Sequence, residues 1–154
     1  MSVMKKNILL LAMIFVALGG IARGQSAVDK ADILRTAGWR QIYDGYTPDE
    51  VQIAGLRKKT ASLRVDVYFG YWCDDSKNNV PLFLKIIDSL NVPELKVNFI
   101  ALEKKQKTGQ KYYVKDMMVE KVPTFIFFLN DSEMGRIIEN PKTTILQDMM
   151  QIIL

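Results

Sequence analysis

The chain has 154 residues, 49% of them hydrophobic, with 21 Lys and Arg residues against 17 Asp and Glu residues, one Cys and no His. That length suits a single domain with a real hydrophobic core. The lack of His excludes Ser-His and Cys-His nucleophile pairs and His-ligated metal sites. The single Cys73 excludes an intramolecular disulfide and a Cys-rich zinc site, so we expect no metal and no cofactor.

The first 24 residues have the pattern of an export signal. Two lysines precede an apolar run from Ile8 to Leu18, and small residues stand at the −3 and −1 positions of a cut before Gln25. The alternative is an uncleaved membrane anchor, but the apolar stretch is shorter than the roughly 18 residues that span a bilayer. We therefore expect cleavage of a signal peptide (residues 1–24), an exported, periplasmic or secreted protein, and no stable membrane span afterwards.

The positive charge of the chain belongs mostly to this leader. Three of the basic residues and none of the acidic ones lie in residues 1–24, which leaves 18 basic and 17 acidic residues and a net charge of +1. This near-neutral remainder gives no support for a nucleic-acid partner.

Residues 25–46 form an N-terminal extension that is hard to interpret. A short helix is indicated over Val28 to Ala37, and it stays open whether the extension adds a strand or wraps as an arm. The domain of residues 47–154 opens with a Thr-Pro-Asp-Glu motif at 47–50, typical of a helix with Thr as N-cap, Pro at N1 and Glu at N3. We expect this helix to end near Ala61.

Alternating and helical apolar patterns follow one another along the rest of the chain. The predicted elements are a strand over Leu63–Phe69, a helix with its apolar stripe from Val80 to Leu90, a strand over Leu95–Leu102, a short helix over Tyr112–Val119, a strand over Thr124–Leu129, a return strand over Met134–Glu139, and a last helix with Asn140 as N-cap and Pro141 at N1. Strands separated by helices pair in parallel, and a closing hairpin adds an antiparallel edge. The sequence therefore predicts an α/β fold: a mixed sheet with helices on both faces and a C-terminal β-hairpin plus helix.

Cys73 follows a strand and begins a helix. A sulfur there lies beside unpaired helix N–H groups, which favour a thiolate. The alternative is a buried Cys that behaves as a small hydrophobic residue. Because Cys73 falls outside both the strand alternation and the helix stripe, we favour an accessible, functional thiol.

The residues around Cys73 resemble those of a known family. Trp72-Cys73-Asp74-Asp75-Ser76 looks like the WCxxC active site of the thioredoxin superfamily, with Ser76 as a CxxS variant. Pro81 matches the proline within the thioredoxin active-site helix, and Val122-Pro123-Thr124 matches the cis-proline loop that lies against the active-site Cys. The resemblance covers roughly residues 48–154. It implies a thioredoxin-like fold in which Trp72, Val122, Pro123 and Thr124 border the substrate.

Two departures from the family pattern limit the chemistry. Without a second Cys, an attacked disulfide ends as a mixed disulfide on Cys73 that nothing within the chain resolves. Ser76 is one helical turn further on and can donate a hydrogen bond to a Cys73 thiolate. The buried acid of thioredoxins is replaced by Val67, and Asp66, one residue away, points to the opposite face of the sheet.

Asp74 and Asp75 have two interpretations. At a helix N-terminus each stabilises the helix by roughly 0.3–1 kcal/mol. Beside a thiolate they are like charges that disfavour its ionisation, so they would modulate the reactivity of Cys73. A cation site made of these two carboxylates alone is disfavoured.

Three functions fit these observations. The first is thiol–disulfide exchange of the mixed-disulfide or isomerase type, with Cys73 as nucleophile and protein or small-molecule thiols and disulfides as partners. The second is a redox-inactive binding module that holds a peptide or protein in the groove between Trp72 and Pro123. The third, weaker one is a dimer linked through Cys73.

Overall fold

The computed structural model describes residues 25–105 and 110–154. The predicted signal peptide and residues 106–109 of the basic connection lie outside the described residues. Within those residues, five strands and five helices follow one another in the order β1 (Gln25–Ala27), α1 (Lys30–Arg35), α2 (Trp39–Gly45), α3 (Glu50–Arg57), β2 (Leu63–Phe69), α4 (Asp74–Leu90), β3 (Lys96–Leu102), β4 (Thr124–Leu129), β5 (Ser132–Ile138) and α5 (Ile145–Ile153).

The strands form one mixed sheet with the order β1-β3-β2-β4-β5. The central β2 is parallel to β3 and antiparallel to β4, so that Val67 lies between Phe99 and Phe125. β4 and β5 form the expected hairpin, whose turn places Asn130 and Asp131 at φ of 50° and 61°. The predicted mixed α/β fold with its closing hairpin and helix is confirmed. The helices were predicted on both faces of the sheet, but the buried apolar residues of the five described helices all pack on one face, because the helix expected over residues 112–119 is absent.

The two faces of the sheet bury different residues. Val65, Val67 and Phe69 lie on the face where the buried residues of the helices pack, and this face holds the main core. On the opposite face, Tyr68 and Phe128 belong to a smaller cluster that residues 114–122 complete. Both clusters follow from the period-2 alternation of the central strands.

α4 was predicted well because its signals are local. Its buried residues include Val80, Phe83 and Leu90, which follow helical spacing, and it ends at Asn91 in the left-handed region with φ 51°. Asn is one of the few residues that adopts this conformation readily. Pro81 lies inside the helix, where it removes one backbone N–H donor.

Two predicted helix starts were wrong. α3 has Asp49 rather than Thr47 as its N-cap, because the Asp49 carboxylate accepts a hydrogen bond of 2.9 Å from the Gln52 N–H, and the helix ends at Arg57. α5 has Thr144 rather than Asn140 as its N-cap, with its hydroxyl 3.2 Å from the Gln147 nitrogen. In both cases a second capping residue a few positions further along is used.

The short helix expected over Tyr112–Val119 is absent from the described residues. Val114 and Val119 instead form a β-bridge closed by a turn, with Met118 at φ 50°. Both valines are buried against the sheet. Residues five apart on a helix point about 140° away from each other, so a helix buries only one of them well, whereas a tight turn buries both.

The N-terminal extension completes the sheet. β1 pairs antiparallel with the edge of β3, so the extension adds a strand. α1 and α2 then join the helical face, where Trp39 is almost fully buried and Lys30 and Tyr43 both donate to Asp88 of α4. Among the helices of the described part of the chain, none is long and apolar enough to cross a membrane.

Candidate functional site

Cys73 is the N-cap residue of α4, directly after the loop that leaves β2. Its backbone N–H donates to the Gly70 carbonyl at 3.0 Å, and its carbonyl accepts from the Lys77 N–H at 3.0 Å. The side chain is half-buried. The thiol therefore lies at the N-terminus of a 17-residue helix, where the helix dipole favours negative charge.

The loop before β4 meets this thiol. The Cys73 Sγ atom lies 3.2 Å from the carbonyl oxygen of Val122, and the Val122–Pro123 peptide bond is cis. Thr124 is buried, and its hydroxyl donates to the Lys121 carbonyl at 2.7 Å. Two motifs that are 49 residues apart in sequence thus share one site.

Ser76 supports the loop that carries Cys73. It is fully buried, and its Oγ atom accepts a hydrogen bond of 3.2 Å from the Gly70 N–H. Among the described residues, no hydrogen bond joins Ser76 to the Cys73 sulfur. Gly70 therefore accepts from the Cys73 N–H through its carbonyl and donates its own N–H to Ser76 Oγ, and these two hydrogen bonds fix the turn between β2 and α4.

The two aromatic residues before Cys73 differ in their surroundings. Tyr71 packs on the rings of Phe69 and Trp39, with centroids 5.1 and 5.5 Å away. Trp72 stays 41% exposed, and its indole N–H donates to the Leu102 carbonyl at 3.0 Å. Tyr71 is just as exposed, at 42%, so the two residues differ in their contacts: Trp72 is held by its hydrogen bond to Leu102 and borders the site, whereas Tyr71 rests on two core rings.

Tyr113 is a neighbour of the thiol that the sequence did not reveal. Its ring centroid lies 5.9 Å from that of Trp72. Burial raises the pKa of Tyr113, a hydrogen bond from the Lys105 backbone opposes this rise, and negative charge on nearby Cys73 adds to it. The residue escaped prediction because a helix was expected where the chain instead turns back on itself.

Asp74 and Asp75 both lie in the first turn of α4, but they have different contacts. Asp74 is exposed to solvent. The Asp75 carboxylate accepts a hydrogen bond of 3.0 Å from the side-chain amide of Asn140, which in turn contacts Asn79. Neither Asn was predicted to belong to the site. The sequence feature that could have revealed Asn79 is its spacing: it lies four residues before the buried Phe83, so a polar side chain stands on the buried face of α4.

β2, the strand before the site, carries no acid on the face of the sheet that packs against the main core. Val67 is fully buried there. Asp66 lies on the opposite face, where it accepts from the Asn98 amide at 2.7 Å and pairs with Arg64. The expected displacement of the carboxylate to the other face of the sheet is therefore observed.

No group of three or more Cys, Asp or Glu side chains in the described ranges is arranged to hold a metal ion. The site consists of one thiol at a helix N-terminus, a proline loop facing it, and an aromatic wall. These features define a protein of the thioredoxin-like class.

The comparisons with known proteins agree with this class. A thioredoxin family model matches residues 23–152, and the chain belongs to this family. A crystal structure of a Pseudomonas aeruginosa protein of unknown function superposes with a TM-score of 0.56 at 15% identity, covering 77% of this chain and 75% of that one. An HIV epitope-scaffold reaches a TM-score of only 0.38 at 14% identity, over 82% and 88% of the two chains, which is too low to indicate a shared fold. No curated protein matches the sequence.

Proposed function

We propose that this protein catalyses thiol–disulfide exchange through a single thiol, Cys73. The observation that carries the proposal is the half-buried Cys73 sulfur at the N-terminus of α4, 3.2 Å from the Val122 carbonyl that precedes Pro123. A nucleophilic thiol needs partial exposure and an environment that tolerates negative charge. The N-terminus of α4 supplies the environment that tolerates negative charge.

The reaction proceeds in two exchange steps. The Cys73 thiolate attacks one sulfur of a disulfide, the sulfur–sulfur bond breaks, and the leaving thiolate takes a proton from solvent. An external thiolate then attacks the mixed disulfide and releases Cys73. No electrons are gained or lost overall, which suits isomerisation of protein disulfides or removal of small-thiol adducts.

The substrate chain would lie between Trp72 and the loop of residues 122–124. Trp72 presents an exposed aromatic face held in place by its bond to Leu102. The hydroxyl of Thr124 points into the protein, so Thr124 supports the loop and leaves the backbone of Val122 and Pro123 as the nearest surface.

We also propose that the protein works after export, in the periplasm or outside the cell. The leader pattern of residues 1–24 supports this location. Disulfides persist in such compartments, so proteins and small molecules that carry disulfides or free thiols are available as partners.

The test is the reaction of Cys73 with an aromatic disulfide, followed by release with glutathione. We expect the folded protein to form the mixed disulfide faster than the same protein in urea, and glutathione to restore the free thiol. Cys73→Ser serves as the blank for both steps. A reaction that is no faster in the folded state than in urea would refute the proposal.

A binding module without covalent chemistry is the second candidate. It is favoured by Ser76, whose hydroxyl accepts from Gly70 and does not bond to the sulfur, and by Asp66, which lies on the face opposite Val67 and accepts from Asn98. In that case a peptide ligand would bind Cys73→Ser and wild type with equal affinity. Dependence of binding on the sulfur would favour exchange instead, and a Cys73-linked dimer would show on a non-reducing gel.

A further inference from the structure

We infer that Asn79 and Asn140 are positioning residues that hold the start of α4, and with it Cys73, against the Val122–Pro123 loop. This inference rests on the proposed exchange function. Neither residue touches the sulfur. They act through a set of hydrogen bonds with Asp75, which we call the amide clamp (Asp75, Asn79 and Asn140).

Asn79 is the buried centre of the amide clamp. It is 5% exposed, and its side-chain nitrogen lies 3.0 Å from the Asp75 carbonyl, 3.2 Å from the Glu139 carbonyl and 3.0 Å from Asn140 Oδ1. Two of these acceptors follow β5, whereas Asp75 belongs to α4. Asn79 thus joins the active-site helix to a segment about 60 residues away.

Asn140 closes the clamp on the side nearest the thiol. Its side-chain nitrogen donates to Asp75 Oδ1 at 3.0 Å, while its own oxygen accepts from Asn79. Asp75 is two residues from Cys73. Asn140 lies outside α4 and therefore fixes the first turn of the helix through Asp75 and Asn79.

The opposite end of this connection is the proline loop. The Glu139 N–H donates to the Pro123 carbonyl at 2.7 Å, and the Glu139 side chain pairs with Lys121 at 2.6 Å. Glu139 has φ 59°, a conformation that residues other than glycine adopt at a cost and keep only when their contacts require it. The Glu139 carbonyl accepts from Asn79 and the Glu139 N–H donates to Pro123, and these two hydrogen bonds hold Glu139 in this conformation.

Together these contacts form a closed path around the site. It runs from Cys73 through α4 to Asn79, on to Glu139 and Pro123, and returns from Val122 to the sulfur. The alignment of the thiol with the loop therefore depends on the clamp. A peptide disulfide must contact the loop and the sulfur together, whereas a small disulfide needs only the sulfur.

The experiment compares the rates of mixed-disulfide formation with a peptide disulfide and with hydroxyethyl disulfide. Asn140 is exposed, so its variants should fold, and a urea unfolding curve checks this. We expect Asn140→Asp, which sets two carboxylates against each other, to slow the peptide reaction roughly tenfold relative to the small disulfide. Asn78→Asp, on the exposed side of α4, makes the same charge change and should leave the ratio unaltered.

A reciprocal swap provides the rescue. Asp75→Asn combined with Asn140→Asp reverses donor and acceptor, keeps the net charge and still offers Asn79 an oxygen. We expect this double variant to recover the wild-type ratio to within about twofold. A ratio unchanged in Asn140→Asp, or not recovered by the swap, overturns the positioning role. A wild-type protein that reacts no faster folded than unfolded overturns the exchange function itself, and the positioning role with it.

Discussion

At the scale of single residues, Gly70 organises the loop that carries the thiol. Its carbonyl and N–H bind Cys73 and Ser76, and its Cα faces the indole of Trp72. A β-carbon added at Gly70 would lie 2.6 Å from Trp72 Cε2 and 2.7 Å from Nε1. Only glycine leaves room for the indole in its observed position, where it donates to Leu102.

Gly70→Ala should therefore displace the Trp72 indole and break its hydrogen bond to Leu102. We expect a loss of about 1–3 kcal/mol in the free energy of unfolding, as for other overpacked sites. Urea unfolding monitored by tryptophan fluorescence measures this loss. Gly55→Ala is the matched control, since no atom beyond its chain neighbours and the surrounding backbone of α3 lies within 4 Å of its added β-carbon. A helical glycine replaced in open space should gain up to about 1 kcal/mol.

At the scale of an element, the start of α5 depends on a buried carboxylate. Asp148 is 7% exposed and accepts from the Lys142 N–H at 2.7 Å, the Thr143 N–H at 3.1 Å and the Thr143 hydroxyl at 2.7 Å. Burial opposes ionisation, but these hydrogen bonds outweigh it and hold the pKa of Asp148 below its usual value. The loop before the helix is thereby tied to the helix itself.

Asp148→Asn should lower the free energy of unfolding at neutral pH by about 1–3 kcal/mol, because an amide donor replaces an acceptor that faces N–H groups. A carboxyl group whose pKa is lower in the folded than in the unfolded protein stabilises the folded state at pH values above its unfolded pKa. This contribution is lost as the pH falls through the pKa of the folded state. The difference between wild type and variant should therefore shrink in acid. Urea unfolding of both proteins at neutral pH and at acidic pH measures this difference in the free energy of unfolding.

The control for this prediction is Asp131→Asn in the β4–β5 turn. The Asp131 side chain is 93% exposed and lies 3.5 Å from an Arg64 nitrogen. Asn tolerates its positive φ as well as Asp does, so we expect a change within about 0.5 kcal/mol. A loss at Asp131 equal to that at Asp148 would show that the three hydrogen bonds of Asp148 are not the cause.

At the scale of the whole molecule, the N-terminal extension is bound to α4, the helix that begins after Cys73. Asp88 of α4 accepts from Lys30 of α1 and from Tyr43 of α2. Burial, followed by the hydrogen bond to Asp88, raises the pKa of Tyr43 from 10.0 to about 12. Ionisation of this tyrosine thus opposes the packing of the extension on α4.

This pKa gives a prediction for alkaline pH. A tyrosine whose pKa is higher in the folded than in the unfolded protein contributes its full stabilisation of the folded state below the unfolded pKa of 10.0. This contribution is lost as the pH rises through the folded pKa of about 12. We expect the free energy of unfolding to fall over that range, and to fall less steeply in Tyr43→Phe. Urea unfolding from neutral to alkaline pH measures both slopes. Identical slopes in the two proteins would contradict the assignment to Tyr43.

The sequence predicted the elements whose signals are local. The bounds of β2 and β4 agree with the predicted strands, because apolar side chains run through each of them. The helix starts failed where two capping residues compete within a few positions. Asn140 is the clearest case, since its side chain bonds to Asp75 and Asn79 and leaves capping of α5 to Thr144.

By itself, the sequence determined the order of the elements from α3 to α5, apart from the absent helix over residues 112–119, as well as the alternating faces of the strands and the position of Cys73 between β2 and α4. Periodicity and turn chemistry act over a few residues, so they can be recognised along the chain. Only the tertiary structure decided that the Cys73 sulfur meets the Val122 carbonyl and that Asn140 joins the start of α4. These contacts connect residues 49 and 65 positions apart, and they depend on strand pairing and packing that no local pattern specifies.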